Sequence, residues 1–139
     1  MANNNKAKNI ETPERMLQLF EAYVIATKSN PFIIKDWVGA AAFQVDRKKE
    51  RPLTMEGFKN YLAANAVVYY LGDYFANTDN AYANYIPVCN MIKSRIRQDQ
   101  IEGGMAMIYN PSITQRLNNL VEKTENKHEV TEIIIKHGN

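Results

Sequence analysis

Three helix-start signals and one strong stop divide this chain and commit it to a mainly helical body. Thr12-Pro13-Glu14 opens the first helix. The threonine hydroxyl can accept a backbone N–H, proline suits the first turn where its missing N–H is not needed, and glutamate favours the positive helix end. Met16, Leu17, Leu19, Phe20, Tyr23 and Val24 then recur at three- and four-residue spacing. Ser29-Asn30-Pro31 closes the run, because a residue before proline avoids the helical region. Thr54, with Glu56 in the first turn, caps a second helix whose apolar stripe is Met55, Phe58, Tyr61 and Leu62. Asn110-Pro111 opens a last helix, expected to reach about residue 121 with Ile113, Leu117 and Leu120 on one face.

The segments between these signals read differently. Ile33, Ile34, Trp37, Val38, Phe43 and Val45 are bulky and β-favouring, and Gly39 splits them into two short runs, which predicts a β-hairpin excursion near 32–50. After the second helix, Ala63-Ala64-Asn65-Ala66 reads as a short connection and 67–75 as another apolar helix. Two helices about so short a turn are the helix-turn-helix pattern. Asn77-Thr78-Asp79-Asn80 is a polar turn, and Pro87 is the first position of a long helix with Val88, Cys89, Ile92 and Ile96 facing the core. Gly103-Gly104 ends or kinks that helix. Three consecutive isoleucines within 130–135 argue for a C-terminal β-strand. The fold class expected is therefore mainly α: a helical domain with a helix-turn-helix-like segment, a β-hairpin excursion and a C-terminal β-strand. Its parts are a flexible N-terminal arm at 1–10, the helical domain at 11–121 and a C-terminal segment at 122–139.

Composition narrows the function. The 139 residues are 45% hydrophobic and 23% charged, enough for one packed core, and Lys plus Arg exceed Asp plus Glu by only 17 to 15. That balance excludes a histone-like cation, so contact with nucleic acid has to come from local basic clusters. One cysteine, Cys89, excludes an internal disulfide and a multi-cysteine zinc site. The N-terminal stretch lacks the apolar core of a secretory signal and no run is long enough to span a membrane, so the expectation is a soluble intracellular protein with no membrane partner. No Walker loop, nucleophile elbow or HExxH motif is present, and His128 and His137 sit in a polar tail without a completing ligand set. The reading is thus a non-enzyme with no catalytic residue, no metal and no cofactor.

The helix-turn-helix candidate is the sharpest functional feature, yet its second helix carries Asp73 and no Lys or Arg, unlike a helix that reads bases. Positive charge gathers instead at Arg47, Lys48, Lys49 and Arg51, at Lys59, and at Lys93, Arg95 and Arg97. In one copy such clusters bind weakly. Repeated about the axis of an oligomer they form a band that grips DNA at many points at once.

The order of several short elements carries a resemblance. Thr12-Pro13-Glu14, then Ser29-Asn30-Pro31, then Arg51-Pro52-Leu53-Thr54-Met55-Glu56-Gly57-Phe58, then Ile92-Lys93-Ser94-Arg95-Ile96 with Asp99-Gln100, then Gly103-Gly104-Met105 and Tyr109-Asn110-Pro111-Ser112-Ile113, resembles the small terminase subunit of tailed bacteriophages across residues 11–121. The resemblance implies a DNA-packaging protein of a phage or prophage, acting in the cytoplasm of the host bacterium. Such a protein forms a homo-oligomeric ring, binds double-stranded viral DNA at the packaging site and regulates a large terminase subunit that carries the ATPase and nuclease. The family's helix-turn-helix maps onto 54–75. Arg47, Lys48, Lys49 and Arg51 are the expected phosphate contacts, with Lys59, Lys93, Arg95 and Arg97 behind them. Asn65 and Tyr69 are the expected polar contacts if the helix-turn-helix meets DNA. The 130–135 segment is a candidate for pairing between subunits, for docking the large subunit, or for adding to the hairpin of its own chain.

Two other readings compete. One is a dimeric helix-turn-helix transcriptional regulator that binds a short palindrome. The other is an interaction module that binds protein alone.

Overall fold

The structure, a computed structural model, describes residues 8–68 and 70–120. Its order is α1 (Pro13–Lys28), β1 (Phe32–Val38), β2 (Phe43–Lys49), α2 (Met55–Ala64), α3 (Gly72–Ala76), α4 (Ile86–Met105) and α5 (Pro111–Leu117), with single 3-10 turns at Thr78–Asn80 and Ala83–Tyr85. It is mainly helical with one antiparallel two-stranded hairpin. No helix among the described residues is long and apolar enough to cross a membrane.

The helix starts lie where local chemistry puts them. The Thr12 hydroxyl accepts from the Arg15 N–H at 3.0 Å, and the Thr54 hydroxyl from the Gly57 N–H at 2.8 Å. The Asn110 carboxamide oxygen accepts from the N–H groups of both Ser112 and Ile113, at 3.0 and 3.1 Å. Each satisfies donors that the first helical turn leaves without intrahelical partners.

The core forms where α1, α2 and α4 meet. Met16, Phe20, Phe58, Leu62 and Ile92 are fully shielded from solvent, and Val88, Cys89 and Ile96 line the same face of α4. Phe20 and Phe58 meet edge to face with centroids 5.3 Å apart, a geometry that the ring quadrupoles favour.

The structure corrects the sequence reading in three places. First, the end of the N-terminal arm is not free. Ile10 is fully buried, its N–H donates to the Tyr74 hydroxyl at 3.0 Å, and the Tyr85 hydroxyl donates to its carbonyl at 2.6 Å. Lys8 donates to the Ala81 carbonyl at 2.6 Å and lies 4.9 Å from the Tyr82 ring centre. An apolar side chain two residues before a cap has core surface to cover, which composition alone does not reveal.

Second, the helix expected over 67–75 shrinks to Gly72–Ala76. The connection expected at 63–66 is longer and begins later, at 65–71, since α2 runs through Ala64 and α3 begins at Gly72. Ala66 adopts a left-handed φ of 54°, its N–H donates to the Ala63 carbonyl, and the Val67 N–H donates to the Leu62 carbonyl. That is the paired hydrogen-bond closure of a Schellman stop, with alanine in the place glycine favours. Val67, Val68, Tyr70 and Leu71 then lie outside any helix, so the expected two-helix corner with a tight turn is not formed. The β-branched pair Val67-Val68 favours this extended path, and Val68 and Leu71 are buried along it.

Third, α5, expected to reach about residue 121, stops at Leu117, and the face that holds Ile113, Leu117 and Leu120 is exposed, whereas Thr114 and Asn118 are buried. Gly104 decides this orientation. A Cβ at Gly104 would lie 2.8 Å from the Thr114 side chain, so α5 approaches α4 closely enough that only a small residue fits between them. Arg47, Lys48 and Lys49 belong to β2, within the hairpin expected near 32–50. The expected C-terminal strand at 130–135, with the rest of 121–139, lies outside the described residues.

Candidate functional site

The hairpin is built from residues that want a partner. Its register pairs Phe32 with Lys49, Ile34 with Arg47, Asp36 with Val45 and Val38 with Phe43 on one face, and Ile33 with Lys48, Lys35 with Asp46 and Trp37 with Gln44 on the other. The turn closes through the Ala42 N–H donating to the Gly39 carbonyl at 3.1 Å, and Gly39 sits at φ 76°, where other residues are strained. Phe32, Ile33, Ile34, Trp37, Val38 and Phe43 are all exposed, Trp37 by 64% and Phe43 by 69%. Isolated exposed apolar residues are ordinary, but a contiguous set on both faces of one ribbon marks an interaction surface.

A polar knot holds the base of the ribbon against the helices. Lys28, in the last turn of α1, donates from Nζ to Asp99 at 2.7 Å, to the Tyr109 hydroxyl at 2.8 Å and to the Arg51 carbonyl at 3.0 Å. It also pairs with Glu50 at 3.0 Å. Asp99 accepts in addition from the Leu53 N–H at 2.8 Å and from the Tyr109 hydroxyl at 3.1 Å. Gln100 donates to the Leu53 carbonyl at 2.9 Å. One cluster thus ties α1, the chain leaving β2, the approach to α2, α4 and the α4–α5 connection together. Burial opposes the charge on Lys28, but hydrogen bonds to Asp99, Tyr109 and Glu50 outweigh it and hold its pKa well above the ordinary lysine value. Burial, with the nearby Asp99 charge, raises the Tyr109 phenol, although the Lys28 hydrogen bond opposes that shift.

Above the knot lies a cavity of about 280 Å³ lined by Phe32, Lys49, Pro52, Ile108, Ile113 and Leu117 among others. It is largely apolar and lies between the hairpin base and α5. Tyr109 packs across Gly103, so closely that a Cβ there would overlap the phenol ring. In an open helix a Gly-to-Ala change gains about 0.8–1.0 kcal/mol. Here the anchored ring reverses the sign, and Gly103→Ala is expected to lose about 1–3 kcal/mol through overpacking. Urea unfolding monitored by circular dichroism checks this; a gain in stability would show that Tyr109 moves aside freely.

The expected DNA-contact residues are placed apart and in several cases already engaged. Arg47 pairs with Asp36 at 2.9 Å. Arg51 donates from Nε to the Asn30 carbonyl at 2.8 Å and stacks 3.9 Å over the Phe32 ring, so it fastens the hairpin rather than facing outward. Lys48 and Lys49 are exposed on opposite faces of β2. Lys59 lies near Glu56 at 3.5 Å on α2, and the Asn65 carboxamide donates to the Tyr61 carbonyl at 2.8 Å as part of the helix end. Along α4, Arg95 pairs with Glu21 of α1, Arg97 donates to the Asn118 carbonyl at 3.1 Å, and Lys93 lies 5.6 Å from the Phe75 ring centre of α3. These three therefore meet three different neighbours. Tyr69 lies outside the described residues.

Lys28, Glu50, Asp99 and Tyr109 are not legible in the sequence as a group, because they come together across as many as 81 positions of chain. Asp99 and Tyr109 figure there only as parts of ordered motifs, and a lysine in a last helical turn reads as a dipole partner. Chemically the knot is a clamp: a lysine held as ammonium is neither base nor nucleophile. Cys89 is equally quiet, since burial pushes its thiol up to about 11 against the pull of Lys93. Among the described residues no set of three histidine, cysteine, aspartate or glutamate side chains is placed to hold a metal ion.

No protein-family model matches the chain, and no curated protein matches it significantly.

Proposed function

We propose that this protein is a non-enzymatic viral DNA-packaging component of the small-terminase kind. On this reading copies of the chain assemble as a ring in the cytoplasm of the host bacterium. The ring binds double-stranded viral DNA at the packaging site and regulates the large terminase subunit, the partner that carries ATPase and nuclease. The observation that carries the reading is the clamped hairpin with apolar residues exposed on both faces. A ribbon so built gains by burying those faces against another protein surface, and contact between unlike surfaces of successive copies closes a ring when the rotation allows. The ordered motifs across residues 11–121 support the same reading.

DNA contact falls on Lys48 and Lys49 in this account, because Arg47, Arg51 and Arg95 are already paired or packed. A palindrome-reading regulator has little support, since the helix meant to read bases spans only Gly72–Ala76. Native mass spectrometry and DNA titration over a salt series test the proposal together. A mass that is a high multiple of the single chain is expected. DNA affinity should fall steeply with salt, and Lys48→Glu with Lys49→Glu should reduce the slope by about one unit for each phosphate no longer neutralised. A single chain at every concentration, with no DNA retained at low salt, would overturn the assignment.

A further inference from the structure

The ribbon has two unused edges. Each strand bonds its partner along one side only, and neither meets another strand among the described residues. A two-stranded ribbon is marginal by itself, and an open edge flanked by apolar side chains is a template for a further strand. Strand β2 runs from the tip to the base, and its last three residues are the cations Arg47, Lys48 and Lys49.

The chain leaves the helical body beside that base. Leu117, at the end of α5, lines the same cavity as Phe32 and Lys49. Beyond Leu120 come residues 121–139, which hold the run Glu129-Val130-Thr131-Glu132-Ile133-Ile134-Ile135. This run is rich in β-branched residues and contains two acids and no base, the complement of the cationic end of β2.

We propose that residues 129–135 add to the outer edge of β2 in the same chain, completing a three-stranded sheet. A strand that enters at the base and runs to the tip is antiparallel to β2, the arrangement with the stronger hydrogen-bond pattern and no need of a crossover. The link of residues 121–128 extends to about 26–29 Å, at ~3.3–3.6 Å per residue. Strand β2 is about 23 Å long, at ~3.3 Å per residue. The link therefore reaches any register along the edge. With Ile133 and Ile135 opposite Val45 and Phe43, whose apolar face they extend, Glu129 comes to lie opposite Lys49, while Glu132 faces Asp46 and reaches Lys48 only diagonally. Three strands with an apolar face meet the requirement for a stable sheet that two do not. The hairpin then presents a wider surface to whatever it binds. The inference stands apart from the packaging reading, since a solitary chain would make the same pairing.

Amide hydrogen exchange on the full-length protein tests it. The alternate β2 amides that point away from β1 are expected to exchange at least tenfold more slowly than free-peptide amides. Ile133→Asp with Ile135→Asp should return them to the free-peptide rate while the amides bonded to β1 keep most of their protection. Glu129→Lys should weaken protection, and adding Lys49→Glu should restore it. Free-peptide exchange of those amides in the unaltered protein, or protection that survives the Ile→Asp pair, overturns the proposal. Isotope-labelled unaltered chains assembled with an excess of the Ile→Asp chain separate the two possible donors. Protection that holds in the labelled chain supports its own tail as the third strand. Protection that falls shows a neighbour's tail on the edge and overturns the same-chain pairing.

Discussion

Replacing Phe58 by alanine is expected to remove about 3–5 kcal/mol of stability, the usual cost of deleting a fully buried aromatic ring. The ring has no exposed surface and touches two others, with centroids 5.3 Å from Phe20 and 5.5 Å from Tyr23. Its neighbours are held from α1 and from the cap of α2: the Tyr23 hydroxyl donates to the Thr54 carbonyl at 3.1 Å and accepts from the Thr54 N–H at 3.0 Å. Such anchored walls collapse poorly into a void, which places the loss toward the upper end. Against a typical total of about 5–15 kcal/mol, this one change takes much of the margin. Calorimetry should show the melting temperature down by about 10–20 °C, at a few degrees per kcal/mol for a domain of this size. Phe58→Leu keeps most of the volume and should cost about 1.5 kcal/mol or less. A loss below that figure for the alanine variant would mean that the α1–α2–α4 core repacks.

Replacing Asp99 by alanine is expected to cost about 3 kcal/mol, since it deprives the Lys28 ammonium, the Leu53 N–H and the Tyr109 hydroxyl of a charged acceptor, and such bonds are worth about 1.5–3 kcal/mol each without adding fully. The side chains of Lys28 and Asp99 are only 25% and 18% exposed. The Lys35–Asp46 pair on the hairpin is 67% and 61% exposed, and its removal should cost under about 1 kcal/mol. Urea midpoints of the two alanine variants, Asp99→Ala and Asp46→Ala, measure this contrast between a clamp and a surface pair of the same chemistry.

The knot also sets a pH dependence whose sign is fixed. Lys28 has its folded pKa raised above the unfolded value, so its contribution is complete below the ordinary lysine range and declines as pH climbs beyond it. Tyr109 is raised as well, and its neutral phenol is lost on the same side. Stability should therefore fall above about pH 10.4, the unfolded lysine value. Asp99→Asn should flatten the fall, because the partner that raises Lys28 then carries no charge. Urea midpoints of both proteins from pH 8 upward measure the difference. Parallel curves would show that the Asp99 charge is not what raises Lys28.

Local chemistry is legible in the sequence wherever it is strong. Thr12, Thr54 and Asn110 cap helices because a side-chain oxygen next to bare N–H groups needs nothing distant to act. Pro31 ends α1 by sterics confined to adjacent residues. The hairpin is visible in its β-branched and aromatic runs about Gly39, and the core stripe of α4 in the spacing of Val88, Cys89, Ile92 and Ile96.

The order of residues alone thus specifies the elements whose causes lie within four or five positions: three helix starts, one stop, a ribbon and the apolar face of the long helix. How those pieces meet is settled in three dimensions. Packing draws Ile10 into the core, turns the apolar side of α5 outward because Gly104 admits Thr114 closely, and gathers Lys28, Glu50, Asp99 and Tyr109 into the clamp beneath the hairpin. The cause is one of range: caps and proline sterics act over one helical turn, whereas burial and ion pairing depend on distances in space, which the spacing of residues along a chain does not fix.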